Sequence, residues 1–371
     1  MITHESYDVI IVGGGIQGCS SAYQLALRGL NVLVLEKDSC GRHASGANAG
    51  GVRCLNRLPE EIPLSLAAQK KWLHLENELE ADCGFRPTGQ IRIAENELDL
   101  GKLEQRFKLV DSLGYQHEEI IDRDELRRLV PAVAKHCIGG LICRKDGYAN
   151  PYLTTQAYRL RAERLGVKIL ERHPVDSIER KEGWLVSAAN RLFHSQILVN
   201  AAGAWGDRIA AMVGDNVPLK AEALALMVTM PTKHFIDPVV GMVSRKLSFK
   251  QMQNGTVIIG GAIQADVVGD RQQTKLDFAH LRESAMTVNA VFPNLANLPI
   301  VRAWAGIEGV MPDKLPVIGP SLVASDVFHV FGFSAHGFQL APVIGLVIAD
   351  LATKGHSDFN LSAFRIDRFK N

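Results

Sequence analysis

Val9-Ile10-Ile11-Val12-Gly13-Gly14-Gly15-Ile16-Gln17-Gly18 is the stretch on which the fold turns. Four consecutive apolar residues, all β-branched, read as a strand buried on both faces. The glycines then turn the chain into a helix-compatible segment, Ser20 to Arg28, which Gly29 stops. A second apolar run, Asn31 to Glu36, ends in an acid and closes a βαβ unit of about 30 residues.

Gly13, Gly15 and Gly18 satisfy the GxGxxG spacing, and each has a reason to lack a side chain. The first makes the tight turn, the second lets a pyrophosphate approach the backbone, and the third lets helix and strand pack closely. The pyrophosphate then rests on the helix N-terminus, where unpaired N–H groups and the dipole favour an anion. Glu36 lies 18 residues past Gly18. From there a carboxylate accepts hydrogen bonds from a ribose diol and repels a phosphorylated ribose. The motif predicts a dinucleotide with Ile16 and Gln17 beside it. Taken alone, it leaves FAD and NAD both open, because both present an ADP half.

The chain of 371 residues, 47% hydrophobic and 22% charged, is long enough for two domains with real cores. Lys and Arg number 41 against 40 Asp and Glu, a net charge of +1 with no charge block, so nucleic acid and membrane surfaces gain no electrostatic support as partners. Cys19, Cys40, Cys54, Cys83, Cys137 and Cys143 form no CxxC pair or close set, and no metal is expected on this chain. The opening residues Met1 to Asp8 lack the basic start, apolar stretch and small-residue cleavage site of a signal peptide. Gly337 to Ala352, interrupted by Gln339, Pro342 and Asp350, reads as a buried helix and not a membrane span. A cytoplasmic protein is expected.

Ser65 to Ala81, Glu97 to Leu113, Asp124 to Leu129 and Tyr152 to Leu165 read as helices. Val167 to Leu170, Val175 to Glu179, Trp184 to Ala188 and Gln196 to Asn200 read as strands. From about 218 to 299 the pattern turns antiparallel, with strands at Ala225 to Thr229, Leu247 to Gln251 and Thr256 to Gly260, and Asn254-Gly255 as a hairpin signal. The last 70 residues return to glycine-rich turns and a helix. An α/β fold is predicted: a Rossmann-like nucleotide domain built from segments 1–85, 140–217 and 300–371, plus an α+β substrate domain with a mainly antiparallel sheet from 86–139 and 218–299.

The loop Arg42-His43-Ala44-Ser45-Gly46-Ala47-Asn48-Ala49-Gly50-Gly51-Val52-Arg53 is small, flexible and rich in donors. With Asp146-Gly147 and Pro151, Asn200-Ala201-Ala202-Gly203-Ala204-Trp205, Trp304-Ala305-Gly306 with Pro312-Asp313, and Gly332-Phe333-Ser334-Ala335-His336-Gly337-Phe338, it resembles the D-amino-acid oxidase and sarcosine oxidase superfamily over nearly the whole chain. The nearest look is to β-type catalytic subunits of heteromeric amine dehydrogenases: sarcosine, proline, D-hydroxyproline and opine oxidising systems, and cyanide-forming glycine dehydrogenase. The resemblance implies FAD. It assigns cofactor contacts to Lys37, Ser45, Asn48, Ala49, Gly50, Gly203, Gly332, Gly337, Phe338 and Gln339, with the strand that starts at Val175 against the adenine. Asn48 stands about where some relatives carry a flavin-linked histidine, and no cysteine is near Trp304 to Glu308, which implies non-covalent FAD.

Flavin-dependent amine oxidation removes a hydride equivalent from the carbon beside nitrogen, so the protein mainly orients the substrate. By resemblance, Arg53 grips the substrate carboxylate, for which a guanidinium fork is suited; a structural ion pair is the plain alternative. His336 matches a histidine beside the flavin, or is simply packed. Gln339 stands where monomeric sarcosine oxidases have a lysine contact to the carboxylate. Glu308 stands where D-amino-acid and glycine oxidases have an arginine, so it either welcomes a cationic substrate group, as in an arginine-derived opine, or faces solvent. Oxidases of the family place a lysine above the flavin, and Thr256 to Gly260 has none.

A dehydrogenase that passes electrons to a second subunit is therefore expected, with any [2Fe-2S] centre on that partner and an FMN at the interface left open. A self-sufficient glycine or D-amino-acid oxidase that forms hydrogen peroxide, and a flavin-binding assembly subunit without turnover, are the alternatives.

Overall fold

The computed structural model describes residues 5–370, so the first four residues of the stretch read for a targeting signal lie outside it. β1 (Glu5–Val12), α1 (Ile16–Leu27) and β2 (Val32–Leu35) form the expected βαβ unit, with β1 and β2 parallel. Val9 to Val12 and Val32 to Leu35 are buried on both faces, each such side chain contributing about 1.5–3 kcal/mol of transfer free energy. The helix begins four residues before Ser20, because Gly15 in extended conformation already starts it.

The first sheet has the order Val317–Pro320, Val327–Phe331, Arg191–Asn200, β1, β2, Lys168–Leu170, with an antiparallel meander of Val175–Lys181 and Gly183–Ala188 on its flank. Segments separated by more than 100 residues thus share one layer: Val327–Phe331 lies beside Arg191–Asn200, which lies beside β1. The helix Gly337–Lys354 packs on α1, and Gly345 permits the approach, since a Cβ there would lie 2.3 Å from Ser20 Oγ. Among the described residues this is the one helix long and apolar enough to cross a membrane, and most of its length is buried in the core.

The second sheet has nine strands and is antiparallel except where Val239–Met242 runs parallel to Gln90–Ala94. The strand Ile300–Val310 pairs with Lys220–Thr229, and Gly139–Cys143 pairs with Gln90–Ala94. By hydrogen bonding, both belong to this sheet, although the sequence reading assigns their segments to the first domain. Asn254-Gly255 does form the hairpin between Ser248–Gln251 and Val257–Val268, with Gly255 at φ +84° and its N–H donated to Met252. The second hairpin strand runs eight residues further than expected, through an irregularity at Gly261 and Ala262, both at positive φ. The expected helix over 65–81 is two helices, Ile62–Trp72 and Leu75–Leu79.

Candidate functional site

A cavity of about 940 Å³ runs from the glycine loop to the second sheet and is lined from both. At its nucleotide end, Gly13 adopts φ +112°, where a Cβ would lie 2.4 Å from Ala201 O, and a Cβ on Gly18 would lie 1.9 Å from Gly13 O. The loop therefore tolerates no side chain at either position. Glu36 is buried; it accepts hydrogen bonds from Gly14 N at 2.7 Å and Asp38 N at 2.8 Å, and burial raises its pKa despite both. Ser45 Oγ accepts from Ile16 N at 2.9 Å, which ties the loop after β2 to the start of α1. Gln17 Nε2 donates to Gly337 O at 2.7 Å, and its buried Oε1 has no partner.

This cradle fits the ADP half of FAD on three counts. It has a bare glycine turn, a 12-residue helix that presents its N-terminus to the cavity, and a carboxylate at the end of β2. Asn48 caps the short helix Ala44–Ala47 by donating to Ala44 O and Ser45 O, and it accepts from Gly50 N at 2.7 Å, which holds Gly50 at φ +70°. None of the six cysteines, all free thiols, is on the cavity wall.

At the other end the wall is basic. Asp146, fully buried, accepts from Cys54 N at 2.8 Å, Leu55 N at 2.9 Å and Gln69 Nε2 at 2.7 Å, which fixes the loop that carries Arg53 and Arg57. Asp146→Ala leaves the amides of Cys54 and Leu55 unpaired and Gln69 Nε2 with Cys143 Sγ alone, and is expected to lower stability by about 3 kcal/mol, read as a shift in the denaturation midpoint. Arg53 donates from Nη1 to Leu55 O at 2.9 Å and meets no carboxylate within 4 Å among the described residues, so the structural ion pair is not formed. Burial, then the neighbouring Arg57 charge, brings its pKa down to about 9. Arg57 is 2% exposed; its Nη2 donates to Gln339 Oε1 at 3.3 Å and its Nη1 has no partner.

His336 Nδ1 lies 2.8 Å from Glu61 Oε2. Burial, and then the Arg57 charge, lowers the imidazole to about 4. Burial alone raises Glu61, but the His336 hydrogen bond and the arginine charges hold it below its ordinary value. The imidazole is thus neutral at pH 7 and donates from Nδ1 to an ionised carboxylate.

The cavity wall brings together Gly13, Gly15, Ile16, Gln17, Glu36, Lys37, Ser45, Asn48, Ala49, Arg53, Val175, Gly203, Glu308, Gly332, Gly337 and Phe338. Gly18, Gly50, His336 and Gln339 stand behind it. Gln339 is 1% exposed and spends its amide on Ser65 O and Arg57, so it braces the arginine loop. Glu308 faces the cavity and not solvent; burial pushes its carboxyl up to about 7, against a hydrogen bond from the Ala335 amide.

Sequence reasoning missed Arg57, Arg92 and Lys250. Lys250 projects from Ser248–Gln251, the strand before Thr256 to Gly260. It is 4% exposed, donates to Ala49 O, lies 4.9 Å from the Tyr148 ring centroid, and is lowered by burial to about 7. A lone lysine inside a strand pattern was the available signal.

The family described as DAO, FAD dependent oxidoreductase, matches residues 8–351. Among curated proteins, the chain is 27% identical to the beta subunit of sarcosine oxidase from Rhizobium meliloti (strain 1021), over 98% of this chain and 88% of that one. It is 28% identical to an opine oxidase subunit of Rhizobium meliloti, over 98% and 97%. It is 27% identical to glycine oxidase of Bacillus subtilis (strain 168), over 98% and 97%. The crystal structure of L-proline dehydrogenase from P. horikoshii superposes with a TM-score of 0.92 at 26% identity, over 99% of both chains.

Proposed function

The chain belongs to the DAO family of FAD-dependent oxidoreductases, and from that premise we propose that it oxidises the C–N bond of a secondary amine or imino acid of the opine, D-hydroxyproline, proline or sarcosine type. We further propose that it does so as the catalytic subunit of a heteromeric complex. The observation that carries the substrate reading is Arg53: a guanidinium held by one edge, unpaired, on the wall of the cavity that holds the nucleotide cradle. Bound there without a covalent link, FAD supplies the two-electron acceptor. Loss of a hydride from carbon and a proton from nitrogen leaves an imine, which water hydrolyses to an amine and a carbonyl product.

Arg53 orients the substrate carboxylate, a bidentate contact that fixes the carbon to be oxidised. Burial and the Arg57 charge hold His336 neutral, Glu61 accepts from its Nδ1, and His336 in turn braces the turn that puts Ala335 and Gly337 on the wall. Glu308 receives a cationic group of the substrate, whose arrival lowers the carboxyl from about 7 and fully ionises it. The reading that electrons leave for a partner draws support from relatives named as parts of sarcosine and opine oxidases. The described residues contain no group of three or more His, Cys, Asp or Glu that could hold a metal, and a [2Fe-2S] centre is proposed for the partner, with FMN at the interface as a further acceptor. Anaerobic mixing of the FAD-loaded chain with these amines bleaches the flavin; an unbleached flavin with every one of them overturns the catalytic reading in favour of an assembly role.

Lys250 favours a second reading, a self-sufficient oxidase like the glycine oxidase relative. A buried ammonium stabilises anions formed as oxygen is reduced. With its pKa at about 7, the charged form prevails below that pH and is lost above it. Under this reading, peroxide formation by the chain alone falls as pH rises through about 7, and Lys250→Met removes that dependence. Negligible peroxide at every pH, with fast reduction of a dye acceptor, supports the dehydrogenase.

A further inference from the structure

Gln90 and Arg92 alternate with the fully buried Ile91 and Ile93 along Gln90–Ala94, so both project from one face of the second sheet, into the cavity. Arg92 is tethered on one side: Nε donates to Met242 O at 3.2 Å and Nη2 to Val243 O at 3.4 Å. Its Nη1 has no hydrogen-bond partner among the described residues, and no carboxylate comes within 4 Å of the guanidinium. Buried Gln90 Oε1, beside it on the wall, is unpartnered, as is Nη1 of Arg57, itself 2% exposed.

Arg53 feels the repulsion of both Arg57 and Arg92. Three guanidiniums therefore share one end of the cavity, two from the loop at 53–57 and one from a different layer. The acids that act on them are engaged elsewhere: Glu61 with His336, Asp146 with the amides of Cys54 and Leu55, and the two that face Arg92, Asp99 and Glu118, with Ser244 and with Arg106. Clustered, desolvated cations without an ion-pair partner are costly unless a ligand brings the opposite charge. One carboxylate matches the edge of one guanidinium. A substrate with a single carboxylate satisfies Arg53 and leaves Arg92, on the second sheet, still facing the cavity.

We propose that Arg92 anchors a second substrate carboxylate, so that the amine oxidised here is an N-(carboxyalkyl) amino acid, with a carboxylate on each side of its nitrogen. This inference rests on the amine-oxidation reading and narrows its substrate class. Arg53 takes one carboxylate and Arg92 the other, which holds the C–N–C unit between them.

The test uses the FAD-loaded chain and two ligands with sulfur in place of nitrogen, thiodiacetate with two carboxylates and methylthioacetate with one. Dissociation constants come from the shift in flavin absorbance. Thiodiacetate is expected to bind at least about tenfold more tightly, the scale of one charge-assisted contact. Arg92→Gln is expected to erase that ratio while leaving methylthioacetate within about twofold, and Arg92→Lys to keep part of it. Equal affinity of the wild type for the two ligands overturns the proposal, as does an Arg92→Gln variant that weakens both alike. If Arg92→Gln fails to hold FAD, the wild-type ratio and Arg92→Lys decide. No turnover is involved, so a flavin that no amine bleaches sinks the oxidation reading while leaving this binding result intact.

Discussion

Gly18→Val is expected to produce a chain that purifies without FAD. The Cβ of any residue at 18 would lie 1.9 Å from Gly13 O and 3.1 Å from Gly13 C. Those are backbone atoms of the turn itself, and no rotamer change clears them. Either α1 shifts away from the loop, or the turn opens and loses φ +112° at Gly13. Both remove the cradle in which the first-turn N–H groups and the Glu36 carboxylate face the cavity together. Overpacking of this kind costs about 1–3 kcal/mol or more, which lands on the binding loop. The ratio of flavin-band to protein absorbance reads the result. Gly29→Ala is the control: Gly29 has φ +82° with nothing within 4 Å of a Cβ, so only the backbone strain of about 1 kcal/mol applies and FAD stays bound. Full FAD occupancy in Gly18→Val would falsify the assignment of this loop to the cofactor.

The βαβ opening was legible because every local signal agreed: continuous apolar strands, bare glycines at the required spacing, and an acid closing the unit. The order of strands was not, because the pairing of β1 with Arg191–Asn200, and of that strand with Val327–Phe331, is a matter of long-range packing that no local pattern encodes. The same limit acted at the cavity. Glu36 could be named from its spacing to the glycine motif, and Arg53 from the family resemblance of the loop that ends in it. Arg92 and Lys250 lie in ordinary strands, and only sheet pairing turns their faces toward the cleft. Periodicity gives alternation along a strand but not which face meets the ligand. Gln339 shows the converse. By resemblance its place just after Gly332 to Phe338 is a substrate-contact position, yet helix geometry sends it inward to Ser65 and Arg57.

The cation cluster also explains why Asp146 and Gln339 belong to the same functional unit although neither is on the wall. Asp146 holds the backbone at Cys54 and Leu55, Leu55 O in turn holds Arg53 Nη1, and Arg53 O accepts from Arg57 Nε at 2.9 Å. The loop thus presents two guanidiniums whose positions are set by carbonyl acceptors, leaving charge available for a ligand. A site built this way is preorganised, since the arginines need not give up an acid to bind substrate.

Arg53→Leu should accordingly act on substrate and not on cofactor. Leucine fills much of the apolar stem's space, removes the charge, and leaves Leu55 O as the one backbone acceptor without its partner. It also relieves the repulsion between Arg53 and its neighbours Arg57 and Arg92, so the fold is not expected to weaken appreciably. Loss of a charge-assisted carboxylate contact is worth about 1.5–3 kcal/mol, a fall of about 10- to 150-fold in kcat/KM. If the contact also orients the reacting carbon, kcat falls together with the apparent affinity. Anaerobic flavin reduction at varied amine concentration separates the two effects, because its limiting rate and its half-saturation are read independently. Retained FAD with raised half-saturation is the expected pattern. Loss of FAD from Arg53→Leu, at unchanged thermal stability, reassigns the guanidinium to the cofactor and returns the substrate carboxylate to Arg92 and Arg57.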